Sequence, residues 1–143
     1  MLPTKEISRI AQERFAAYET GEVARVMAVY ADDVSYWDTT CAERIRGRDD
    51  LQAHLGDFLR RVDVRYALLE EHRLDGRDSA IVLWECAARP RLPDGRPGEQ
   101  LQLRRGMNLL QVQDGLVTRE ESYMDMASLD ALFPLQVKGH ATC

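Results

Sequence analysis

The chain has no apolar stretch approaching the ~20 residues that a membrane-spanning helix needs, and its opening MLPTKEISR has no apolar signal-peptide core. Both absences predict a soluble, cytoplasmic protein with no membrane partner. Cysteine is scarce: Cys41, Cys86 and Cys143 are odd in number, far apart, and show no CxxC or Cys/His ligand spacing. Neither a disulfide framework nor a metal site is expected. Positive charge is in deficit, with a formal net charge of -5. The basic residues Arg44, Arg46, Arg48, Arg60, Arg61, Arg104 and Arg105 are scattered or interleaved with acids. A nucleic-acid surface needs concentrated Lys and Arg, so solvated faces are the expectation and no nucleic-acid partner is expected. Repeats, low-complexity segments and an interdomain linker are missing too. The 143 residues therefore read as one domain over 1–143, with an ordered core over about 5–133 and a tail at 134–143.

What is present is a core and two periodicities. Apolar residues make up 45% of the chain, enough for a globular interior without staples. Ile7, Ile10, Ala11, Phe15 and Tyr18 recur at intervals of three and four, which predicts a helix that Thr4 can cap and Gly21 can end. A shorter helix is expected to carry Val23, Val26, Met27 and Tyr30 on one stripe. The period then falls to two: Val34, Tyr36 and Asp38 alternate with Ser35 and Trp37, as in a strand. After a polar connector, Asp49 is the candidate N-cap of a third helix with the stripe Leu51, Leu55, Phe58, Leu59 and Val62. Strands are predicted at about 64–74, 79–89, 100–112 and 116–124, with Asp75-Gly76 and Asp114-Gly115 as tight turns. Pro90 to Gly98 reads as a longer loop, and Ala127 to Phe133 as a short helical turn.

Helices first and then a run of strands define α+β, not alternating βαβ. The expected form is a cone: a curved antiparallel sheet wrapped around the N-terminal helices, leaving a concavity for a small molecule.

Three segments carry a family resemblance: TGEVARVMAVYADDVSYWD, then IRGRDDLQAHLGDFL, then LRRGMNLLQVQDGLVTREESYMDMASLDALF. The first two resemble the ketosteroid isomerases, with a glycine-acid pair, a short helix ending in YADD, an acid-ended strand and Gly-Arg opening the next helix. The third resembles the two closing strands of the SnoaL-like families. The resemblance covers about residues 5 to 133 and implies the nuclear-transport-factor-2-like cone fold. It also implies a cofactor-independent enzyme of secondary metabolism, acting by proton transfer on an apolar carbonyl compound. Isomerisation, aldol-type cyclisation and dehydration are the reactions in view. Water addition to an epoxide and a non-catalytic ligand-binding or dimerisation module are the alternatives, since this fold hosts all three.

Asp38 matches the general base of the isomerase pattern, with Thr39 where that pattern has proline. A carboxylate at a strand end can be desolvated into a useful base, or it can cap its own turn at Thr39 and Thr40. Asn108 matches the oxyanion-hole position and can donate to an enolate, with Arg104 or Tyr36 assisting. On the expected parity Arg104, Gly106, Asn108 and Leu110 share one strand face. Ser122 stands where cyclases and limonene epoxide hydrolases carry an aspartate, and Arg14 or Phe15 where the isomerases carry a phenol. Glu120, two residues before Ser122, is the candidate replacement acid. Tyr36, Leu55, Phe58, Trp84, Leu110, Ser122 and Met124 are candidate pocket walls. Glu85 is either paired inside an apolar strand or on a solvent face. His54, His72 and His140 show no metal spacing and default to the surface. The closing strands are expected to pack against a second copy through Arg105, Arg119, Glu121 and Tyr123.

Overall fold

The computed structural model describes residues 4–74 and 78–125. Helix α1 (Thr4–Thr20) buries Ile7, Ile10, Ala11, Phe15 and Tyr18, the stripe that its spacing dictates. Gly21 ends it at φ 71°, its N–H bonded to the Tyr18 carbonyl at 3.1 Å. Helix α2 (Val23–Met27) is one turn long. Tyr30, expected on that helix, instead opens β1 (Tyr30–Asp38). A two-residue strand β2 (Ile45–Arg46) lies within the polar connector. Helix α3 (Arg48–Arg61) begins after Gly47 at φ 85°, with no side-chain cap. The turn out of β2 needs a positive φ, which glycine supplies. Asp49, the expected cap, sits in the first turn beside Asp50, where acids favour the helix dipole.

Strands β3 (Val62–Arg73), β4 (Ser79–Pro90), β5 (Gln102–Gln113) and β6 (Leu116–Met124) follow. Asp114 and Gly115 join the last two at φ 52° and 77°, the two positive angles of a tight hairpin turn. The Asp75-Gly76 turn and the helical turn at Ala127 to Phe133 fall outside the described residues.

The six strands form one curved, unclosed sheet in the order β2-β1-β6-β5-β4-β3. It is mixed and not antiparallel throughout, because β1 runs parallel to β6. No hairpin joins that pair: α3 and four strands intervene, so chain connectivity leaves their direction to packing. The helices lie against the concave face, and the core fills the space between. It includes Val26, Val34, Leu51, Leu55, Leu59, Val62, Val82, Leu110 and Val112.

Rows of partners across the sheet fix which side chains share that face. Tyr36 stands beside Glu120, and Glu120 opposite Leu110. Two residues further along, Asp38 stands beside Ser122, and Ser122 opposite Asn108. Gly106 lies between Trp84 and Met124 in the next row. A Cβ there would meet the Trp84 ring at 2.3 Å, so only glycine lets the indole lie across β5.

The convex face is held by a different cluster. Glu121 accepts hydrogen bonds from Arg44, from Arg119 at 2.7 Å and from Tyr123 at 3.0 Å. Burial alone would raise its pKa, but these donors outweigh it and bring the carboxyl down to about 2 from 4.5. A carboxyl more acidic folded than unfolded stabilises the fold above its unfolded pKa and loses that effect as pH falls towards the folded one. Screening by the half-exposed arginines trims the contribution to about 1–2 kcal/mol. The melting temperature is expected to drop between pH 4.5 and 2, and Glu121→Gln should flatten part of that drop in thermal scans across the range. An unchanged profile would remove the cluster from the acid response.

Candidate functional site

Asp38 ends β1 on the concave face and is 4% exposed. Its Oδ1 accepts the Thr40 backbone N–H at 2.8 Å and the Thr40 hydroxyl, closing an Asx-type turn. Its Oδ2 faces the other way, accepting the Tyr36 hydroxyl at 2.9 Å and His54 Nε2 at 2.7 Å. Burial would raise the Asp38 pKa, but the hydrogen bond and charge of His54 and the Thr40 donors lower it below the ordinary carboxylate value. The carboxylate is therefore an acceptor, and the imidazole must donate through Nε2.

His54 was expected on the surface. It occupies the inner face of α3 instead, its side chain 19% exposed and its ring 5.7 Å from that of Tyr36. Its position at the third residue after Leu51 and the fourth before Phe58 is the sequence signal that would have placed it on the buried stripe. Nδ1 makes no hydrogen bond among the described residues. In the neutral ring the donor at Nε2 leaves the lone pair on Nδ1, the nitrogen free to take a proton.

Cys41 Sγ lies 3.5 Å from Asp38 Oδ1 and 3.9 Å from His54 Nε2. One ligand atom from each of Asp38, Cys41 and His54 falls within 4.8 Å of the others, a spacing that suits a metal ion. The chemistry does not fit one. Cys41 is disulfide-bonded, so it offers no thiolate, and the His54–Asp38 hydrogen bond fills the space between the other two donors. The disulfide corrects the expectation of none; its other half lies outside the described residues. Spacing along the chain cannot reveal a pairing that folding creates.

A second polar cluster lies one and two strands away. Glu120 is fully buried and takes a two-pronged ion pair from Arg14, with Nε to Oε2 at 2.9 Å. Tyr30 donates to it at 2.6 Å and Asn108 Nδ2 at 2.6 Å. The Asn108 carbonyl oxygen in turn accepts Trp84 Nε1 at 2.8 Å and the Ser122 hydroxyl at 2.9 Å. Arg14 also lies over the Tyr18 ring, 4.7 Å from its centroid. The Glu120 charge holds the Arg14 pKa above its ordinary value against the opposing effect of burial.

The expected parity of β5 holds, with Arg104, Asn108 and Leu110 buried on the concave face. Asp38 and Asn108 share a row but do not touch. Two strand spacings, roughly 10 Å, separate them, and Ser122 stands between. Among the candidate walls, Tyr36, Leu55, Trp84 and Leu110 are deeply buried, while Phe58 and Met124 are only partly so. Phe15, Tyr18, Phe58, Tyr66 and Trp84 form a continuous aromatic wall. Tyr66 stacks on Phe15 at 4.7 Å and meets Trp84 edge-on at 5.4 Å. Glu85 points to the convex side, 3.3 Å from Arg105, and His72 pairs with Glu70 on the surface. His140 lies outside the described residues.

A curved, unclosed mixed sheet with helices against its concave face is the nuclear-transport-factor-2-like cone fold. The chain belongs to the SnoaL-like domain family, whose model matches residues 11–120. By sequence, no curated protein matches it. Among solved structures it resembles a candidate isomerase from Bacillus subtilis at 11% identity and a TM-score of 0.80, covering 94% of this chain and 96% of that one. It resembles an LEH-like epoxide hydrolase from M. tuberculosis at 19% identity and a TM-score of 0.69, covering 95% of each chain. A candidate ketosteroid isomerase from Kribbella flavida DSM 17836 is 24% identical, with a TM-score of 0.63, covering 85% of this chain and 79% of that one. At such identities these likenesses speak for the fold. No helix among the described residues is long and apolar enough to cross a membrane.

Proposed function

We propose that the protein is a cofactor-independent enzyme that moves a proton on a small carbonyl compound held against the aromatic wall, with His54 as the proton carrier. The observation that carries this reading is the 2.7 Å hydrogen bond from His54 Nε2 to a buried Asp38. Asp38 fixes the ring and its tautomer, and it stabilises the imidazolium formed when Nδ1 takes the proton. Asp38 thus acts through His54, since a carboxylate held by four donors and lowered in pKa is a weak base. Tyr36 donates to the same carboxylate oxygen as His54. Asn108 and Glu120, candidates for the oxyanion donor and the second acid, support the floor of the pocket: Asn108 aligns Trp84 and Ser122, and Glu120 holds Arg14. Isomerisation, cyclisation and dehydration all begin with removal of a proton next to a carbonyl. The direct test is therefore nuclear magnetic resonance detection of deuterium uptake at that carbon, over a panel of cyclic and aryl ketones in heavy water. Uptake above buffer supports the reading, and none on any ketone would end it.

One observation favours a non-catalytic ligand-binding module: Asp38 also caps its own turn through Thr40. That role needs no catalysis, and the same exchange experiment separates the two readings.

The convex face fits a second copy of the chain. Leu103, Met107 and Tyr123 are 66%, 42% and 45% exposed on it, beside the Glu121 cluster, which mixes apolar and charged surface as dimer faces do. Light scattering after size exclusion is expected to give twice the monomer mass, and Met107→Glu should halve it. A monomer before mutation would overturn the assignment.

A further inference from the structure

Two arginines are buried among the described residues, and they are treated differently. Arg14 is matched by Glu120. Arg104 is 6% exposed, yet no salt bridge joins it to a carboxylate among the described residues. Its Nε is buried with no hydrogen-bond partner, and its guanidinium donates from Nη2 to the neutral Gln102 Oε1. The Cys86 sulfur and Asp125 also act on it electrostatically. A buried cation left this way is costly unless something supplies the missing negative charge. Burial also pulls its pKa below the ordinary arginine value, the mark of a charge short of partners.

The position of Arg104 says what would supply the charge. On β5 it lies four residues from Asn108, beyond the row in which β1 ends at Asp38, and on the same concave face. Its row continues to Cys86 on β4 and Tyr66 on β3. Tyr66, which meets Trp84 edge-on at 5.4 Å, therefore brings one end of the aromatic wall into the Arg104 row. The planar fork of a guanidinium matches a carboxylate with two parallel hydrogen bonds. A single arginine neutralises a single negative charge, which favours a carboxylate over a doubly charged phosphate monoester.

We propose that Arg104 is an anion subsite of this pocket and that the substrate is a carboxylic acid whose carboxylate binds there, its apolar body lying along Tyr66 and Trp84. The placement of the reacting carbon near His54 rests on the proton-transfer reading; the anion subsite does not.

The test is binding, read without turnover, by isothermal titration with 2-naphthoate, the isosteric neutral 2-naphthamide and 2-naphthyl phosphate. Wild type is expected to bind the acid at least tenfold more tightly than the amide and more tightly than the phosphate. Arg104→Met should make acid and amide equal. Arg104→Lys keeps the charge without the fork, should retain part of the preference, and gives the answer if Arg104→Met does not fold. Equal binding of acid and amide by wild type, tighter binding of the phosphate, no binding of any probe, or a preference that survives Arg104→Met would each overturn the proposal. A preference lost in His54→Gln but kept in both Arg104 variants would assign the anion to the imidazole and also overturn it. If ketone exchange fails while the acid preference stands, the pocket is an acid-binding module and the subsite remains.

Discussion

His54→Gln is expected to lower deuterium uptake into a responsive ketone by about 10²–10⁴-fold, the usual contribution of a positioned general base. Glutamine is chosen because its amide N–H can still reach Asp38, whose Oδ2 now accepts from His54 at 2.7 Å. The carboxylate stays satisfied, so circular dichroism and the melting temperature should remain close to wild type. The variant lacks a nitrogen that can take a proton. Asp38→Asn tests the other half of the pair. It removes the charge that stabilises the imidazolium and offers an amide N–H towards Tyr36 or Thr40, which already donate there. A loss of about 10²-fold or more is expected, with some cost in stability from the mismatched donors. If His54→Gln is fully active and Asp38→Asn is dead, Asp38 is itself the base. If both are fully active, the pair has no part in the chemistry.

The second large effect concerns stability. Arg14→Met is expected to cost about 3–5 kcal/mol in urea denaturation, because it strands the Glu120 charge in the core. Glu120 is fully buried, and among the described residues only Arg14 forms a salt bridge with it. Tyr30 and Asn108 would still donate to it, but two neutral donors do not replace a guanidinium. Combining Arg14→Met with Glu120→Gln removes the charge as well as its partner and should recover most of the loss. The amide can still accept from Tyr30. A double mutant no more stable than the single, or a single that costs under about 1 kcal/mol, would show that the pair is not coupled as its geometry requires. A gain in stability of the double over wild type would fit the general finding that apolar replacements can outdo buried ion pairs.

Period and turn chemistry were enough to read most elements. The stripe on α1, the alternation of Val34, Tyr36 and Asp38, and the Asp114-Gly115 hairpin are local: each follows from side-chain spacing or from the φ angle a residue tolerates. The alternation along β5 was legible for the same reason, but which of its two faces is concave was not, since a shift of one residue exchanges them. The end of α2 was not, because Tyr30 fits a helix stripe and a strand equally well, and only pairing with β6 decides. The start of α3 was misread because Asp49 is a good cap in isolation, whereas the turn from β2 demanded glycine one residue earlier than the helix.

By itself, then, the sequence determined the α+β class, the order of the main elements and the alternation that Asp38, Asn108 and Glu120 follow, because these depend on periodicities of two and 3.6 residues. Only the tertiary structure decided what those side chains meet. It set β1 parallel to β6, brought His54 from sixteen residues away onto Asp38, joined Arg14 to Glu120 across 106 residues, and left the Arg104 Nε buried without a hydrogen-bond partner. Contacts between residues so far apart are chosen by the packing of helices onto a curved sheet, and no local pattern encodes that choice.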